Sequence, residues 1–311
     1  MKLGGPIEGK SVVGLSGRLR RLRYKGSLID WAAYLFVGPY LLLFLSMKLA
    51  PIFFGIFVSF TNWSIVRAPK WIGLKNYIRV FTDAWVGQVW TNTMLIALLV
   101  VPGTVVVSLL FALYVNRRWL LSNTVRTFVF APKAVAITVT SMIWVWILDK
   151  EKGILNILLS SLGLPKVGWL TSISWVIPSI AAVTVWWGVG YYMVILIAGL
   201  QDIPEELVDA AHLDGASDRQ VFWNITLPML RPALILIITL EIIASLRIFG
   251  QVQLMTAGGP GGRSATIVSY IYSTGFQRFD LGYAAVLSLL LFLTTMVFSW
   301  VRFKIYGDVD Y

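Results

Sequence analysis

Six apolar segments, each about as long as a lipid bilayer is thick, constrain this chain more than anything else in it. They run roughly over residues 31–60, 93–115, 127–148, 176–200, 233–255 and 283–303. A helix rises about 1.5 Å per residue, so about 20 residues cross a hydrocarbon core of about 30 Å. Lipid offers no partner to a backbone N–H or C=O, so each segment must close its hydrogen bonds within itself. The expected fold class is therefore an all-α polytopic membrane protein with six transmembrane helices. The first segment is long for one crossing and should tilt or protrude, with Pro39 and Pro51 placed to bend it.

Composition agrees. Of 311 residues, 58% are hydrophobic and only 13% charged, and the mean hydropathy is +0.77. Soluble domains sit near 45–50% apolar and about 25% charged. The absence of cysteine excludes disulfides, thiol catalysis and zinc-thiolate sites. A single histidine, His212, cannot build a metal or acid–base centre. Trp31, Trp63, Trp90, Trp119, Trp169, Trp175 and Trp300 lie near segment ends, as interfacial belts do.

The net charge of +11 is explained by basic flanks of membrane segments rather than by nucleic acid. One set of connections holds Lys2, Lys10, Arg18, Arg20, Arg21, Arg23, Lys25, Arg117, Arg118, Arg126, Arg219, Arg231, Arg302 and Lys304. The opposite set holds fewer: Arg67, Lys70, Lys75, Arg79, Lys150, Lys152, Lys166, Arg263 and Arg278. The positive-inside rule then places both termini in the cytoplasm. Residues 1–30 read as a basic cytoplasmic tail and 31–311 as one six-helix domain. The first 25 residues are rich in Gly and Arg without an apolar core, unlike a signal peptide.

Some motifs fit by letter only. Residues 4–11, Gly-Gly-Pro-Ile-Glu-Gly-Lys-Ser, match the phosphate-loop pattern. That mechanism needs a strand before the loop and a helix after it, and no βαβ pattern exists here. Asn62-Trp63-Ser64 and Asn224-Ile225-Thr226 match glycosylation sequons, the first against the membrane and the second on the cytoplasmic side.

Charges inside apolar runs carry more information, because each costs a few kcal/mol or more in lipid. Lys48 and Lys133 are expected to snorkel toward the interfaces. Glu241 and Arg247 sit deeper, six residues apart, and so do not share a helical face. They either bond neighbouring helices or line a path for a polar solute. The fourth segment contains Trp186-Trp187-Gly188-Val189-Gly190-Tyr191-Tyr192. Such a cluster is an interfacial belt or a stacking surface for sugar rings, and its glycines permit close helix approach.

Between the fourth and fifth segments lies a polar island at about 201–232. It reads as a short helix over 207–211, a break at Gly215 and a second amphipathic turn ending at Pro228. A chain that only had to span lipid would need no such knob. Asp209-Ala210-Ala211 is followed after three residues by Gly215, then after nine by Ile225-Thr226-Leu227-Pro228. This pattern resembles the EAA loop of binding-protein-dependent ABC importer permeases, with Asp209 in place of the usual glutamate. The segments 199–207, 212–216, Ser59-Phe60-Thr61-Asn62-Trp63, Gly73-Leu74-Lys75-Asn76-Tyr77 and Thr256-Ala257-Gly258-Gly259-Pro260, with Tyr270-Ile271-Tyr272 and Phe276, resemble the carbohydrate branch of that family. From about residue 31 onward, the chain is most similar to the first permease of maltose-type and glycerol-3-phosphate-type systems.

The resemblance implies a type I ABC importer permease fold in a bacterial or archaeal cytoplasmic (inner) membrane. It implies a second homologous permease, two ATPase subunits and an extracytoplasmic solute-binding protein as partners. ATP and Mg would be held on the ATPase subunits, with no cofactor bound by this chain and no enzyme activity of its own. Glu205, Glu206, Asp209, Ala210, Ala211, Asp214, Gly215, Ile225, Leu227 and Pro228 would form the ATPase-coupling loop. The substrate pathway would carry over onto Gly188, Tyr191, Glu241, Ala244, Ser245 and Ile248, with Arg247 beside them. Glu241 and Ile248 depart from the polar neutral residues usual there, and Arg247 points toward an acidic or phosphorylated solute such as a phosphorylated polyol. A secondary transporter would instead show paired intramembrane acids or broken helices in repeated halves. A membrane enzyme would show an acid–base or metal cluster, and the acids here fall in the knob.

Overall fold

The computed structural model describes residues 28–64, 68–116 and 121–306. The phosphate-loop pattern, the N-terminal basic cluster, Arg67, Arg117, Arg118 and Trp119 lie outside the described residues. The chain divides into two compact units, residues 1–53 and 54–311.

The first unit contains α1 (Leu28–Phe44), a π-helical turn (Leu45–Leu49) and the start of α2 (Ala50–Ser59). The π turn has a local cause. Pro51 lacks an N–H and its ring crowds the carbonyl of Met47 four residues back. The backbone widens just upstream, and the Ala50 N–H bonds Leu45 O. The same device recurs in the second unit, where the π turn Phe222–Thr226 precedes Pro228.

The second unit continues with α3 (Lys75–Thr82), α4 (Ala84–Asn116), α5 (Ser122–Ala134), α6 (Ile137–Ile147), α7 (Ile154–Ser161) and α8 (Val176–Gln201). Then come α9 (Glu205–Leu213), α10 (Asp218–Val221), α11 (Leu227–Met229), α12 (Arg231–Leu246), α13 (Gly250–Met255), α14 (Ile267–Tyr272) and α15 (Leu281–Tyr306).

Four stretches are single helices long and apolar enough to cross a membrane: Tyr34–Ser59, Ala84–Asn116, Val176–Gln201 and Leu281–Arg302. Two more are bent pairs, α5 with α6 at 102° and Asp218–Met229 with α12 at 63°. The six expected transmembrane segments thus take the form of four continuous helices and two bent pairs, four to six spans in all. The third segment breaks at Val135 and Ala136, both extended, just after Pro132 and Lys133. The fifth does not run through to 255. Its helix stops at Leu246, and after Phe249 the short α13 packs against α6. There Gly250 lies 3.3 Å from Ile137, measured from where its Cβ would be.

The centre of the unit is the α4–α8 pair, with α5 and α12 against it. Small residues bring these helices close, as expected where no water drives association. Gly103 abuts Val185, and the Ser108 hydroxyl donates to Val189 O at 3.0 Å. At Gly190 the backbone of α5 comes so near, at Val129 and Phe130, that a Cβ would overlap it. Leu196, Ile197, Leu230 and Ile237 fill the core near the α9 end. Ile96, Val100, Ile180 and Val252 fill it toward the other end.

Gly190→Ala should therefore force α5 off α8 and destabilise the chain by roughly 1–3 kcal/mol, the usual cost of overpacking. Gly87→Ala, with nothing within 4 Å of its added carbon, is the matched control. A lower melting midpoint for the first variant alone is the expected result, measured on purified protein in the same lipid-like detergent.

Candidate functional site

Three polar constellations stand out along the second unit. The first is the knob. Pro204 opens α9, and Glu205 and Glu206 occupy its first turn, where the positive end of the helix dipole favours carboxylates. The helix ends in a two-bond cap: Ala216 N–H donates to Ala211 O at 2.9 Å and Gly215 N–H to His212 O at 3.0 Å. That cap requires a left-handed residue, and Gly215 has φ +85°. Gln220 then accepts from Ser217 N–H at 2.8 Å and caps α10.

The turn is stiff, yet its outer face is open. Glu205, Glu206, Asp209, Ala210, Asp214, Gly215 and Pro228 are exposed, while Ala211, Ile225 and Leu227 are half-buried. Leu213 is 88% exposed and Trp223 57%, an apolar tip that nothing among the described residues covers. Between the knob and the C-terminal ends of α4 and α8 lies a cavity of about 910 Å³, lined partly by Arg126, Asp209 and Asp218. All ten residues assigned to the coupling loop thus lie on this one projection, from α9 to α11.

The second constellation lies between the spans. Glu241 on α12 is 4% exposed. It accepts from the Thr104 hydroxyl at 3.4 Å and from Tyr192. Gly188 forms the adjoining wall, with the Tyr192 ring 3.7 Å and the Thr104 methyl 3.9 Å from where its Cβ would be. The seven residues assigned to the pathway are divided. Gly188, Glu241, Ser245 and Ile248 are buried, whereas Tyr191, Ala244 and Arg247 are exposed. Ile248 packs in the core with Ile96 and Val252, and the Ser245 hydroxyl is buried without a hydrogen-bond partner.

The stop of α12 puts Arg247 at a helix end, exposed, rather than deep within a continuous span. The carbonyl of Ile248, freed by the break, accepts from the Thr266 hydroxyl at 3.0 Å.

Lys133 lies beside this constellation. Its ammonium sits 3.3 Å from the centre of the Trp187 ring and 5.6 Å from that of Tyr191. The Trp187 indole N–H in turn donates to Val135 O at 3.2 Å, in the break between α5 and α6. The sequence carried the signal as a proline and a lysine side by side in an apolar run.

The third constellation was not anticipated at all. At the end of the α4–α8 pair remote from the knob, Asp83 Oδ2 accepts from Tyr270 at 2.6 Å and from Tyr283 at 2.8 Å. Its other oxygen accepts from Trp85 N–H at 3.0 Å, capping α4. Arg79 pairs with Asp280 at 2.7 Å and lies 3.9 Å over the Tyr283 ring. Burial works against the Asp83 charge, but the two hydroxyl bonds and the Trp85 N–H outweigh it and hold the carboxyl below its ordinary range. Burial, with the bond to Asp83, pushes the Tyr270 phenol up to about 12. The network ties α4, α14 and α15 together.

With this geometry in view, comparison with known proteins places the chain. The model of the binding-protein-dependent transport system inner membrane component family matches residues 104–305, and the chain belongs to that family. The probable ABC transporter permease YurN of Bacillus subtilis is 32% identical over 280 residues, covering 88% of this chain and 95% of the relative. The trehalose/maltose transport system permease MalF of Thermococcus litoralis is 30% identical, covering 92% of this chain and 96% of the relative. The sulfoquinovosyl glycerol transport system permease SmoG of Agrobacterium fabrum is 30% identical, covering 89% and 91% respectively. Among solved structures, a bacterial ABC transporter that imports the acidic polysaccharide alginate matches with a TM-score of 0.82 at 22% identity, covering 91% of this chain and 97% of that one. The fold is that of a type I ABC importer permease.

The Asp83 network makes a pH prediction. A carboxyl whose folded pKa is lowered stabilises above the unfolded value, about 3.9, and that stability is lost as pH falls through the lowered folded value. At pH 7, Asp83→Asn should melt below the wild type, and the gap should narrow as the pH falls below the ordinary carboxylate range. A gap that is constant with pH would refute the role given to the charge.

Proposed function

We propose that the chain is the membrane-spanning permease subunit of an ATP-driven importer that moves a sugar, oligosaccharide or sugar-like solute across a bacterial or archaeal cytoplasmic membrane. Relatives named for saccharide transport support the solute class over a secondary-transport reading. The observation that carries the mechanism is the stiff, exposed α9 knob set between two spans. On this reading both termini and the knob face the cytoplasm.

The working assembly comprises this chain, a second similar permease, two ATPase subunits that hold ATP and Mg, and an extracytoplasmic solute-binding protein. The ATPase subunits grip α9 by its apolar tip, Leu213 with Leu207, and by the acids around it. Their closure on ATP moves α9 as a rigid lever. The motion passes into α8 and α12, which flank the knob in sequence, and rocks them so that the central path opens to alternate sides. The coupling is reciprocal: a loaded binding protein favours the same state that ATP favours. This chain supplies the path and the lever and performs no hydrolysis.

Gly215 offers a test that leaves packing untouched, because nothing lies within 4 Å of an added Cβ while its φ of +85° is hostile to branched side chains. Gly215→Val should cost on the order of 1–3 kcal/mol locally and turn α9 out of register. The expected outcome is a chain that inserts normally but loses most of its copurifying ATPase. Gly215→Asn, which tolerates that backbone, should retain it. Equal ATPase recovery with both variants would refute the docking role.

A further inference from the structure

We propose that Lys133 is a specificity-determining residue of the solute path and that it selects saccharides carrying a negative charge: a carboxylate, sulfonate or phosphate ester. The inference rests on the sugar-import reading above and narrows its substrate class.

A lysine in an apolar segment ordinarily runs its stem along the lipid-facing surface and puts its ammonium in the headgroups. The ammonium of Lys133 lies on the face of Trp187, within reach of Tyr191. The orientation is fixed by the break after α5, because the indole that receives the ammonium is itself tethered to the carbonyl of Val135. An irregular backbone within an apolar segment is tolerated where it lines a cavity or is buried in protein. Here it carries a charge to an aromatic surface.

The charge has no counterion among the described residues. Among the described residues Lys133 forms no ion pair within 4.0 Å; those pairs are Arg79–Asp280, Lys166–Glu151 and His212–Asp218. Glu241 is the acid that acts on Lys133 electrostatically, but its carboxylate also faces the hydroxyls of Thr104 and Tyr192 and makes no ion pair with the ammonium. A cation in such a setting is completed by an anion from outside. Beside it, Tyr191 is 41% exposed, held edge-on by Tyr192 with ring centres 5.2 Å apart. That ring can take the C–H face of a sugar while the ammonium takes its acidic group. The two recognition elements of an acidic saccharide thus stand side by side, and a neutral sugar would use only one of them.

The test uses the complete complex, with both permeases, the ATPase subunits and the cognate binding protein, in proteoliposomes. Uptake is measured for matched probes: glucose with glucuronate and glucose 6-phosphate, and maltotriose with trigalacturonate. At least one acidic probe should be taken up faster than its neutral counterpart. Lys133→Met should lower that uptake by about tenfold or more, as loss of a charge-assisted contact does, while Lys133→Arg should retain most of it. Complex yield, read on the same preparations, should be the same for all three. Import of neutral probes alone, or acidic uptake unchanged in Lys133→Met, overturns the inference and leaves the sugar-import reading standing. A Lys133→Met complex that fails to assemble also overturns it, since the ammonium then pairs with a neighbouring subunit. Uptake of no saccharide of either kind refutes the sugar-import reading and this inference with it.

Discussion

Lipid cannot satisfy a backbone hydrogen bond, and the architecture of this chain follows from that fact. Where the sequence is apolar and unbroken, the chain is one helix, as in α4 and α8. Where a helix stops inside an apolar segment, other groups receive the freed carbonyls. Trp187 donates to Val135 at the break after α5, and Thr266 donates to Ile248 at the break after α12. Both breaks lie next to the charged or exposed side chains of the middle region, Lys133 and Arg247. The departures from plain spanning helices are therefore concentrated where a polar path would need them.

The three polar constellations divide the labour along the α4–α8 pair. At one end, α9 is stiffened by its Gly215 cap and faces the C-terminal ends of both helices across a cavity. At the other, Asp83 binds two tyrosines and joins α14 and α15 to α4. Between them, the buried Glu241 ties α12 to α4 and α8 through Thr104 and Tyr192. A push on α9 thus meets helices whose far ends are anchored, a condition for rocking rather than sliding. The small residues Gly103, Gly188, Gly190 and Gly199 let the moving parts lie against each other with little side-chain bulk between them.

The long helices were legible because hydropathy alone dictates them, and the knob because its polar composition interrupts that hydropathy. The cap at Gly215 was legible for the same reason: a glycine after an amphipathic turn. The breaks were not. Residues 127–148 and 233–255 are apolar apart from isolated polar and charged residues, so hydropathy does not register that Val135 and Arg247 leave the helix. At the first break Pro132 and Lys133 were the available cues, and Lys133 was read only as a snorkelling charge; at the second, Arg247 was read as lying deep within a continuous span. The burial of Ser245 and Ile248, set against the exposure of Ala244 and Arg247, is set by packing against other elements, which the sequence pattern did not reveal. The Asp83 network was out of reach for another reason. Its partners lie 187 and 200 residues away, and no local pattern records such a pairing.

The central claim is that the tip of α9 is the surface an ATPase subunit holds. The chain contains no cysteine, so a single thiol can be placed there without background. Leu213→Cys, carrying a short photoactivatable cross-linker, reports directly on what covers this 88% exposed position. In the native complex the adduct should join this chain to the ATPase subunit, and adding ATP should change its yield as the subunits close. Adducts to lipid or to the second permease alone, with the ATPase present and active, would contradict the account.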